Sequence, residues 1–318
     1  MTNFIGMDIS RDSAAVAIFE DQTLRKEFSI SLDVIGFKEL DNQVKSLDTP
    51  LFTFEATGVY SRRVETFMLS KGFQYQLLSP KVAHQRIARE IDDERFIKTD
   101  KSDARMLASS AKLKDYLNLY QSDPIYRELK DMSHRYNQLA EDLKREKNRA
   151  HRLLQIVFPT FQSRFSKTDS EWIWRIIAMF PHSSLVKTKD INELADIINS
   201  LTAKNLGKQS IAYAHKLWDA AHVSFPASPA ASDNTQQMRE LAQRILELIE
   251  LKDKQIDKMA KLADNLEELD IYLSLPGVKI NTAVRLIAEL GDVRRFSTSR
   301  QLVAYAGLAV TIKESGKW

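Results

Sequence analysis

Four carboxylates are the residues of this chain whose types and positions suggest chemistry. Asp8 lies inside an apolar run near the N-terminus, and Glu55 closes a second apolar run. Asp100 and Asp103 stand three residues apart, so they share one face of any helix formed there. A carboxylate within an apolar run is costly unless a cation or a donor pairs with it. Two strand acids and a helical pair supply the oxygen ligands that a Mg²⁺ site for phosphoryl transfer needs.

Some of these acids also have an ordinary structural explanation. Asp100 and Asp103 would lie in the first turn of a helix capped by Thr99, where the helix dipole favours acids. Glu55 alone could be a strand-end acid, whereas Asp8 is harder to explain because strand interiors disfavour aspartate. The combination of all four acids with the order of the strands favours the metal site.

Three basic residues flank the helical pair of acids, namely Lys98, Lys101 and Arg105. They could neutralise nearby phosphates, or they could merely solvate the helix. Clustered carboxylates repel one another and raise some of their own pKa values unless a cation lies between them. The acids and the bases together are therefore consistent with a site that acts on a phosphate ester.

The elements that must position the acids follow an α/β order. Alternating apolar residues and Gly, Ser and Asp breaks predict strands, and apolar residues at three- and four-residue steps predict helices. Three strands come first, followed by helix, strand, helix, strand and helix, which is the order of a ribonuclease-H-like fold. The predicted strands are 4–9, 14–19, 25–32, 51–55 and 74–78, and the predicted helices are 34–47, 60–71 and one opening at Pro80.

The middle of the chain is predicted to be helical. Apolar stripes begin at Leu129 and at Met238, and the second slips in register before it resumes at Ile256. Such stripes are typical of an antiparallel or intermolecular coiled coil, but packing within one chain explains them equally well. Residues 224–235 are a linker by composition. A basic stretch at 144–152 is a solvated face or a nucleic-acid contact.

Composition excludes several classes of protein. The chain has 318 residues, 43% of them hydrophobic and 28% charged, a net charge of +3 and no cysteine, so disulfides, thiolate catalysis and cysteine-based zinc sites are excluded. The six histidines show no metal-ligand spacing. No apolar run approaches the roughly 18 residues of a membrane span, and no signal peptide is evident. We therefore expect a cytoplasmic protein without a membrane partner.

The C-terminal segment has a nucleic-acid signature of its own. Residues 275–279 read Leu-Pro-Gly-Val-Lys and resemble a helix-hairpin-helix, in which backbone amides near Gly277 and Lys279 would hold a DNA phosphate. Arg285, Arg294 and Arg295 nearby favour this interpretation over a simple Pro-Gly turn. From residue 279 onward seven basic residues stand against three acids.

At this point the motifs resemble a known family. The strings Gly-Met-Asp-Ile-Ser at 6–10, Glu-Ala-Thr-Gly-Val-Tyr at 55–60 and Lys-Thr-Asp-Lys-Ser-Asp-Ala at 98–104 resemble the DEDD transposases of the insertion sequence 110 family. The resemblance implies a RuvC-like, ribonuclease-H-type domain at 1–118. It further implies a transposase domain at 271–318, which the motif at 275–279 predicts to be small, all-α and of helix-hairpin-helix type. The apolar stripes predict a helical coiled-coil region at 119–270 between the two.

The resemblance also assigns roles to residues. It implies that Asp8, Glu55, Asp100 and Asp103 bind Mg²⁺ or Mn²⁺, and that a serine of the C-terminal domain is the nucleophile. The family pattern Tyr-Ala-Gly-Leu followed by Ser-Gly selects Ser315. Members of the family normally continue well past this Ser-Gly pair, so we expect the third domain to be incomplete here.

The implied function is DNA recombination and transposition by a mobile element. The implied partners are DNA, a structured non-coding guide RNA and further copies of the chain in a dimer or tetramer. Two alternatives remain open at this point. One is a metal-dependent nuclease of branched DNA that uses water as the nucleophile, and the other is an inactive nucleic-acid-binding regulator.

Overall fold

The structure is a computed structural model, and the chain divides into two compact units, residues 1–121 and 122–318. The residues that the structure describes are 3–20, 23–78, 99–110, 123–165, 170–202 and 208–308.

A five-stranded mixed sheet is formed by the described residues of the N-terminal unit, in the order β3-β2-β1-β4-β5. β1 pairs antiparallel with β2 and parallel with β4, and β4 pairs parallel with β5. This confirms the mixed α/β architecture expected from the sequence, with the first and fourth strands as neighbours. The strands are β1 Asn3–Ile9, β2 Ser13–Glu20, β3 Thr23–Ser31, β4 Pro50–Glu55 and β5 Gln74–Leu78.

Two helices help to build the main core on one face of this sheet. Helix α1 (Val34–Val44) begins at Asp33, whose carboxylate accepts the backbone N–H groups of Ile35 and Gly36 at 3.0 and 2.9 Å. These bonds, chiefly the one from Gly36, lower the pKa of Asp33. Helix α2 (Ser61–Lys71) ends at a left-handed glycine, as is common for helix termini. The helix predicted to open at Pro80 lies outside the described residues.

Helix α3 (Asp100–Ser110) packs on the opposite face of the sheet, directly above Gly6. A Cβ atom on Gly6 would stand 1.9 Å from the carbonyl oxygen of Ala104 and 2.5 Å from the amide nitrogen of Ala108. Ala15 and Ala17 of β2 form a small cluster with Ala104. Small side chains on both sides therefore allow the helix backbone to approach the strand.

Two long helices form the frame of the C-terminal unit. They are α4 (Pro124–Val157) and, further along the chain, α10 (Asp233–Ala263). The first turns of α4 share a core with the last turns of α10, and the later part of α4 shares another core with the early part of α10. The helices are therefore antiparallel within one chain, which selects one of the arrangements that the sequence left open. A supercoil remains a prediction.

Among the described residues, five shorter helices lie between these two along the chain. They pack around the fully buried Trp174 together with parts of α4 and α10. Their bounds are α5 Phe161–Arg164, α6 Glu171–Met179, α7 Ser183–Lys187, α8 Ile191–Ser200 and α9 Lys208–His222.

The predicted linker at 224–235 is only partly a loop. Its last three residues already belong to α10, which begins at Asp233. Earlier in the segment, the amide of Ala227 donates to the carbonyl of Ile156 at 2.8 Å. The buried His182 ring contacts the carbonyl oxygen of Ser228 at 2.9 Å. The connection is therefore attached to the helical core, despite a composition typical of linkers.

The short helices that follow α10 along the chain pack against α4 and α10 through a shared apolar cluster. Gly277, with a φ of 81°, makes the turn between the first two of them. The elements are α11 Glu267–Leu273, α12 Ile280–Leu290, a 3₁₀ turn Val293–Arg295 and α13 Ser299–Tyr305.

The predicted division of the chain into three domains stays a prediction. No helix in the described ranges is long and apolar enough to cross a membrane.

Substitution of Gly6 by alanine tests the close approach of α3. The added methyl group would meet backbone atoms of Ala104 and Ala108, which cannot rotate away. We expect a loss of about 3 kcal/mol in the free energy of unfolding, measured by chemical denaturation followed by circular dichroism.

Gly72→Ala is the matched control for this substitution. Gly72 has a φ of 68°, and nothing lies within 4 Å of its would-be Cβ, so that variant carries backbone strain without a collision. It should lose only about 1 kcal/mol. A loss for Gly6→Ala no larger than that of Gly72→Ala would contradict the close contact.

Candidate functional site

Asp8 and Glu55 lie side by side at the carboxyl ends of adjacent strands. β1 and β4 are parallel, and their last paired residues are Met7 and Phe54, each one position earlier. Met7 and Phe54 belong to the main core. Because side chains alternate along a strand, Asp8 and Glu55 point to the other face of the sheet, the face that α3 covers. Both side chains are half-buried.

The second pair of acids lies in the first turn of α3. Thr99 caps this helix: its hydroxyl accepts the amide of Ser102 at 3.1 Å, and the Ser102 hydroxyl accepts the amide of Thr99 at 2.8 Å. The predicted cap is thereby confirmed. Asp100 is exposed, whereas Asp103 is half-buried and its Oδ1 atom is buried.

The same stripe of α3 carries these acids and the residues that face the sheet. Ala104, Leu107 and Ala108 are buried, and they follow Asp100 and Asp103 at helical three- and four-residue steps. Leu107 packs on Leu78 of β5, the strand partner of Glu55. The acids of the helix therefore continue the surface that covers the strand acids.

The donor set suits a hard divalent cation, since all four side chains offer carboxylate oxygens. The side-chain geometry does not reproduce a finished metal site. Within the described residues, no three histidine, aspartate or glutamate side chains are grouped so that they could hold an ion. The fold thus places all four acids on one side of the sheet, while a cage of carboxylates is not formed.

Arg105 is committed to an ion pair rather than open to phosphate. Its guanidinium group donates two hydrogen bonds to Glu27 of β3, one of them 2.6 Å long from Nη2 to Oε2. The hydrogen bond from Arg105 lowers the pKa of Glu27. Lys101 is exposed, and Lys98 lies outside the described residues. Glu27 could not be predicted as the partner of Arg105 from the sequence, because the two residues are 78 positions apart.

Two of the C-terminal arginines hold aromatic rings. The guanidinium carbon of Arg285 lies 4.7 Å from the ring centre of Tyr136, and its Nη2 donates to Asn137 at 3.3 Å. Arg295 stacks at 4.6 Å from the ring centres of both Phe296 and Tyr305. These contacts give both arginines a structural role in addition to the predicted contact with DNA.

The third arginine belongs to a network around a buried acid. Glu268 is 5% exposed and accepts hydrogen bonds from the hydroxyl of Tyr126 at 2.9 Å and from Arg294 at 3.1 Å. Arg294 also donates to Asp292 at 2.8 Å. Burial, followed by the bond to Glu268, raises the pKa of Tyr126 to about 12. The network ties the first turn of α4 to α11 and the 3₁₀ turn.

The remaining predicted residues fall in two places. Gly277 and Lys279 are exposed in the turn before α12, as expected for the hairpin. Ser315 lies outside the described residues, so its role as a nucleophile stays a prediction.

Comparison with known proteins identifies the family. Residues 5–159 match the DEDD transposase model of the IS110 type, and residues 269–318 match the transposase family IS116/IS110/IS902. The chain belongs to the IS110 family of transposases. The first match includes all four acids, and the second includes Ser315.

Two curated relatives belong to insertion elements of the same kind. A 43.6 kDa protein of insertion element IS110 from Streptomyces coelicolor is 24% identical over 240 residues, covering 74% of this chain and 58% of the relative. A 44.8 kDa protein of insertion element IS116 from Streptomyces clavuligerus is 22% identical over 224 residues, covering 69% and 54% respectively. The chain thus spans little more than half the length of these curated relatives.

Tyr126→Phe tests the network around Glu268. Removal of the hydroxyl takes a donor from a buried carboxylate, which should lower the free energy of unfolding by about 1–3 kcal/mol. Because the raised pKa keeps the folded phenol protonated between pH 10 and 12, the wild type should also lose stability as the pH rises through that range. The variant should show a smaller loss, as measured by thermal melts from pH 8 to 12, since Tyr272, whose pKa is also raised by burial, still contributes.

Tyr213→Phe serves as the control in the same unit, since its ring packs against Trp172. It should keep the wild-type dependence on pH. The same alkaline slope in wild type and Tyr126→Phe would rule out Tyr126 as its source.

Proposed function

We propose that this IS110-family chain cuts and rejoins DNA as the transposase, or site-specific recombinase, of a mobile element. The proposal rests above all on one observation: Asp8 and Glu55 occupy adjacent parallel strands on the sheet face that α3 covers with its own acids. A ribonuclease-H-like sheet with acids in these positions is suited to phosphoryl transfer.

We assign Asp8, Glu55, Asp100 and Asp103 to the binding of Mg²⁺, or of Mn²⁺ in its place. Such an ion, when bound, stabilises negative charge on the oxygens of a phosphate ester. The chain itself would supply orientation. The strand register sets Asp8 beside Glu55, and the Thr99 cap fixes the first turn of α3, which carries Asp100 and Asp103.

The nucleophile is assigned to Ser315 on the strength of the family motif. Its Oγ would attack a DNA phosphorus, form a phosphoserine ester and release a DNA hydroxyl, which takes up a proton. Attack by a second DNA hydroxyl would then reverse the step and restore the serine. Since the phosphodiester bond is exchanged rather than hydrolysed, rejoining requires no external energy source.

DNA contact is further assigned to the hairpin at 275–279. Gly277 allows the tight turn. The residue before α12 is Lys279, whose side chain makes no capping hydrogen bond, so it leaves the amides of the first turn of α12 available. Amides of this kind bind phosphate. A structured guide RNA that supplies sequence choice, and assembly into a dimer or tetramer, are further parts of the proposal.

Asp8→Asn should abolish Mg²⁺-dependent DNA cleavage while DNA binding remains. The variant keeps the size of the side chain but removes the charge that attracts the cation. Addition of Mn²⁺ should raise the melting temperature of the wild type, since a ligand that binds only the folded state stabilises it, and this rise should be lost in the variant.

Asp12→Asn is the matched control, because Asp12 is an exposed acid four residues away whose side chain pairs with Arg11. It should keep both cleavage and the response to Mn²⁺. If Asp8→Asn unfolds the chain or leaves cleavage intact, Asp8 is a structural acid.

Ser315→Ala separates recombination from hydrolysis. In the proposed mechanism, the wild type forms a covalent protein–DNA adduct visible on a denaturing gel, and the variant forms neither adduct nor cut DNA. Ser297→Ala, at another serine of the C-terminal segment, should behave as the wild type. Cleavage that persists without an adduct in Ser315→Ala would instead identify a hydrolytic nuclease.

A further inference from the structure

Thr53 is a fully buried threonine whose hydroxyl group has no hydrogen-bond partner among the described residues. It lies in β4, two positions before Glu55. A buried hydroxyl without a hydrogen bond costs free energy relative to an apolar group of the same shape, and valine has that shape. Because valine suits a strand as well as threonine does, the packing of β4 gives no reason for the hydroxyl. The hydroxyl therefore needs another explanation.

The side chain of Thr53 lies on the sheet face that carries the acids. Phe52 and Phe54 belong to the main core on the other face, and side chains alternate along a strand. Thr53 and Glu55 are therefore consecutive residues on the face that α3 covers. Two positions of a strand span about 6.6 Å, and strand side chains lean along the strand. The hydroxyl of Thr53 is thus within reach of the longer side chain of Glu55.

The other neighbours of Thr53 in the sheet do not satisfy its hydroxyl. Thr53 pairs with Gly6 of β1, which has no side chain, and with Gln76 of β5. Gln76 is buried as well, but its amide group makes no hydrogen bond to the hydroxyl of Thr53. Thr57 also has a buried hydroxyl without a partner in the described ranges, but it lies beyond the end of β4, where alternation no longer fixes its face. Glu55 is the acceptor that β4 itself places beside Thr53.

We propose that Thr53 is a positioning residue for Glu55, and that its hydroxyl donates a hydrogen bond to one oxygen of the Glu55 carboxylate when the acids bind a divalent cation. Within the described residues the acids are not grouped so that they could hold an ion, so binding requires them to move closer together. A carboxylate has two oxygens, and Glu55 can accept from Thr53 with one while the other faces the cation. The inference rests on the proposed function, because it needs Glu55 to be a metal ligand.

The test uses two substitutions that separate the hydroxyl of Thr53 from its methyl group. Thr53→Val removes the hydroxyl and keeps the shape, whereas Thr53→Ser keeps the hydroxyl and removes the methyl group. The full chain is melted in EDTA, which reports the stability without a cation. Mn²⁺ is then titrated, and the free ion is followed by its electron paramagnetic resonance signal. Neither measurement depends on the cleavage of DNA.

The two variants should change stability and cation binding in opposite directions. In EDTA, Thr53→Val should melt no lower than the wild type and up to about 4 °C higher, because the hydroxyl that it removes is unpaired. It should bind Mn²⁺ about 10-fold more weakly, as is common when a group that orients a metal ligand is lost. Thr53→Ser should melt lower, because loss of a buried methyl group leaves a cavity. Its Mn²⁺ affinity should stay within about 3-fold of the wild type.

Thr235→Val is the matched control. Thr235 is also a buried threonine, but its hydroxyl lies 3.3 Å from the hydroxyl of Ser232 and donates to the carbonyl of Pro229 at 3.4 Å. It belongs to α10 of the C-terminal unit. Because the substitution removes a hydroxyl with partners, it should lower the melting temperature by about 2–4 °C. The affinity for Mn²⁺ should not change.

Three results would overturn the proposal. A fall in melting temperature for Thr53→Val as large as that for Thr235→Val would mean that the hydroxyl has a structural partner. Unchanged Mn²⁺ affinity in Thr53→Val would mean that the hydroxyl does not act on the acids. Equal weakening in Thr53→Val and Thr53→Ser would mean that packing matters rather than the hydroxyl.

Asp8→Asn keeps this inference separate from the proposed function. If the wild type binds Mn²⁺ and Asp8→Asn does not, the metal site stands whatever Thr53→Val does. An absence of Mn²⁺ binding by the wild type would remove both proposals.

Discussion

The contact between α3 and β1 is the constraint on which the N-terminal unit depends. A helix normally stands off a sheet by the length of its side chains, but here the carbonyl of Ala104 occupies the space that a side chain at Gly6 would need. The alanines of β2 extend the flat surface. The acids come from both layers, and their distance is set by how closely the layers approach.

The C-terminal unit is organised on a different principle. Its frame is a pair of antiparallel helices, and apolar clusters together with a polar network attach the smaller helices to that frame. Glu268 shows how this works: a buried carboxylate is tolerated because Tyr126 and Arg294 both donate to it. The cations that suggest a nucleic-acid surface are therefore of two kinds. Some, such as Arg285 on Tyr136, are fixed by the fold, and others, such as Lys279, are exposed to solvent.

Much of the fold follows from local patterns in the sequence. Alternation predicted the strands, and Thr99 and the two acids after it predicted the start of α3, because a cap and its helix are neighbours in the chain. Partners far apart in sequence could not be predicted in this way. The ion pair of Arg105 with Glu27 spans 78 residues, and Arg285 and Asn137 are 148 residues apart. The apolar stripes likewise carried no information on whether their partner was the same chain. For the site, the sequence predicted an acidic face with a metal site on it. The acids lie on that face, but among the described residues no three of them are grouped so that they could hold an ion, because side-chain convergence is not determined by the local pattern.

The hydrogen bond between Ala227 and Ile156 has a consequence for the architecture of such chains. The polypeptide departs from the helical frame near Val157 and returns beside the same point before α10 begins. Everything between is an excursion with adjacent ends, and its helices share one core with α4 and α10. Because the ends meet, residues can be inserted at its surface without shifting one frame helix against the other, as long as the buried side chains around Trp174 are kept.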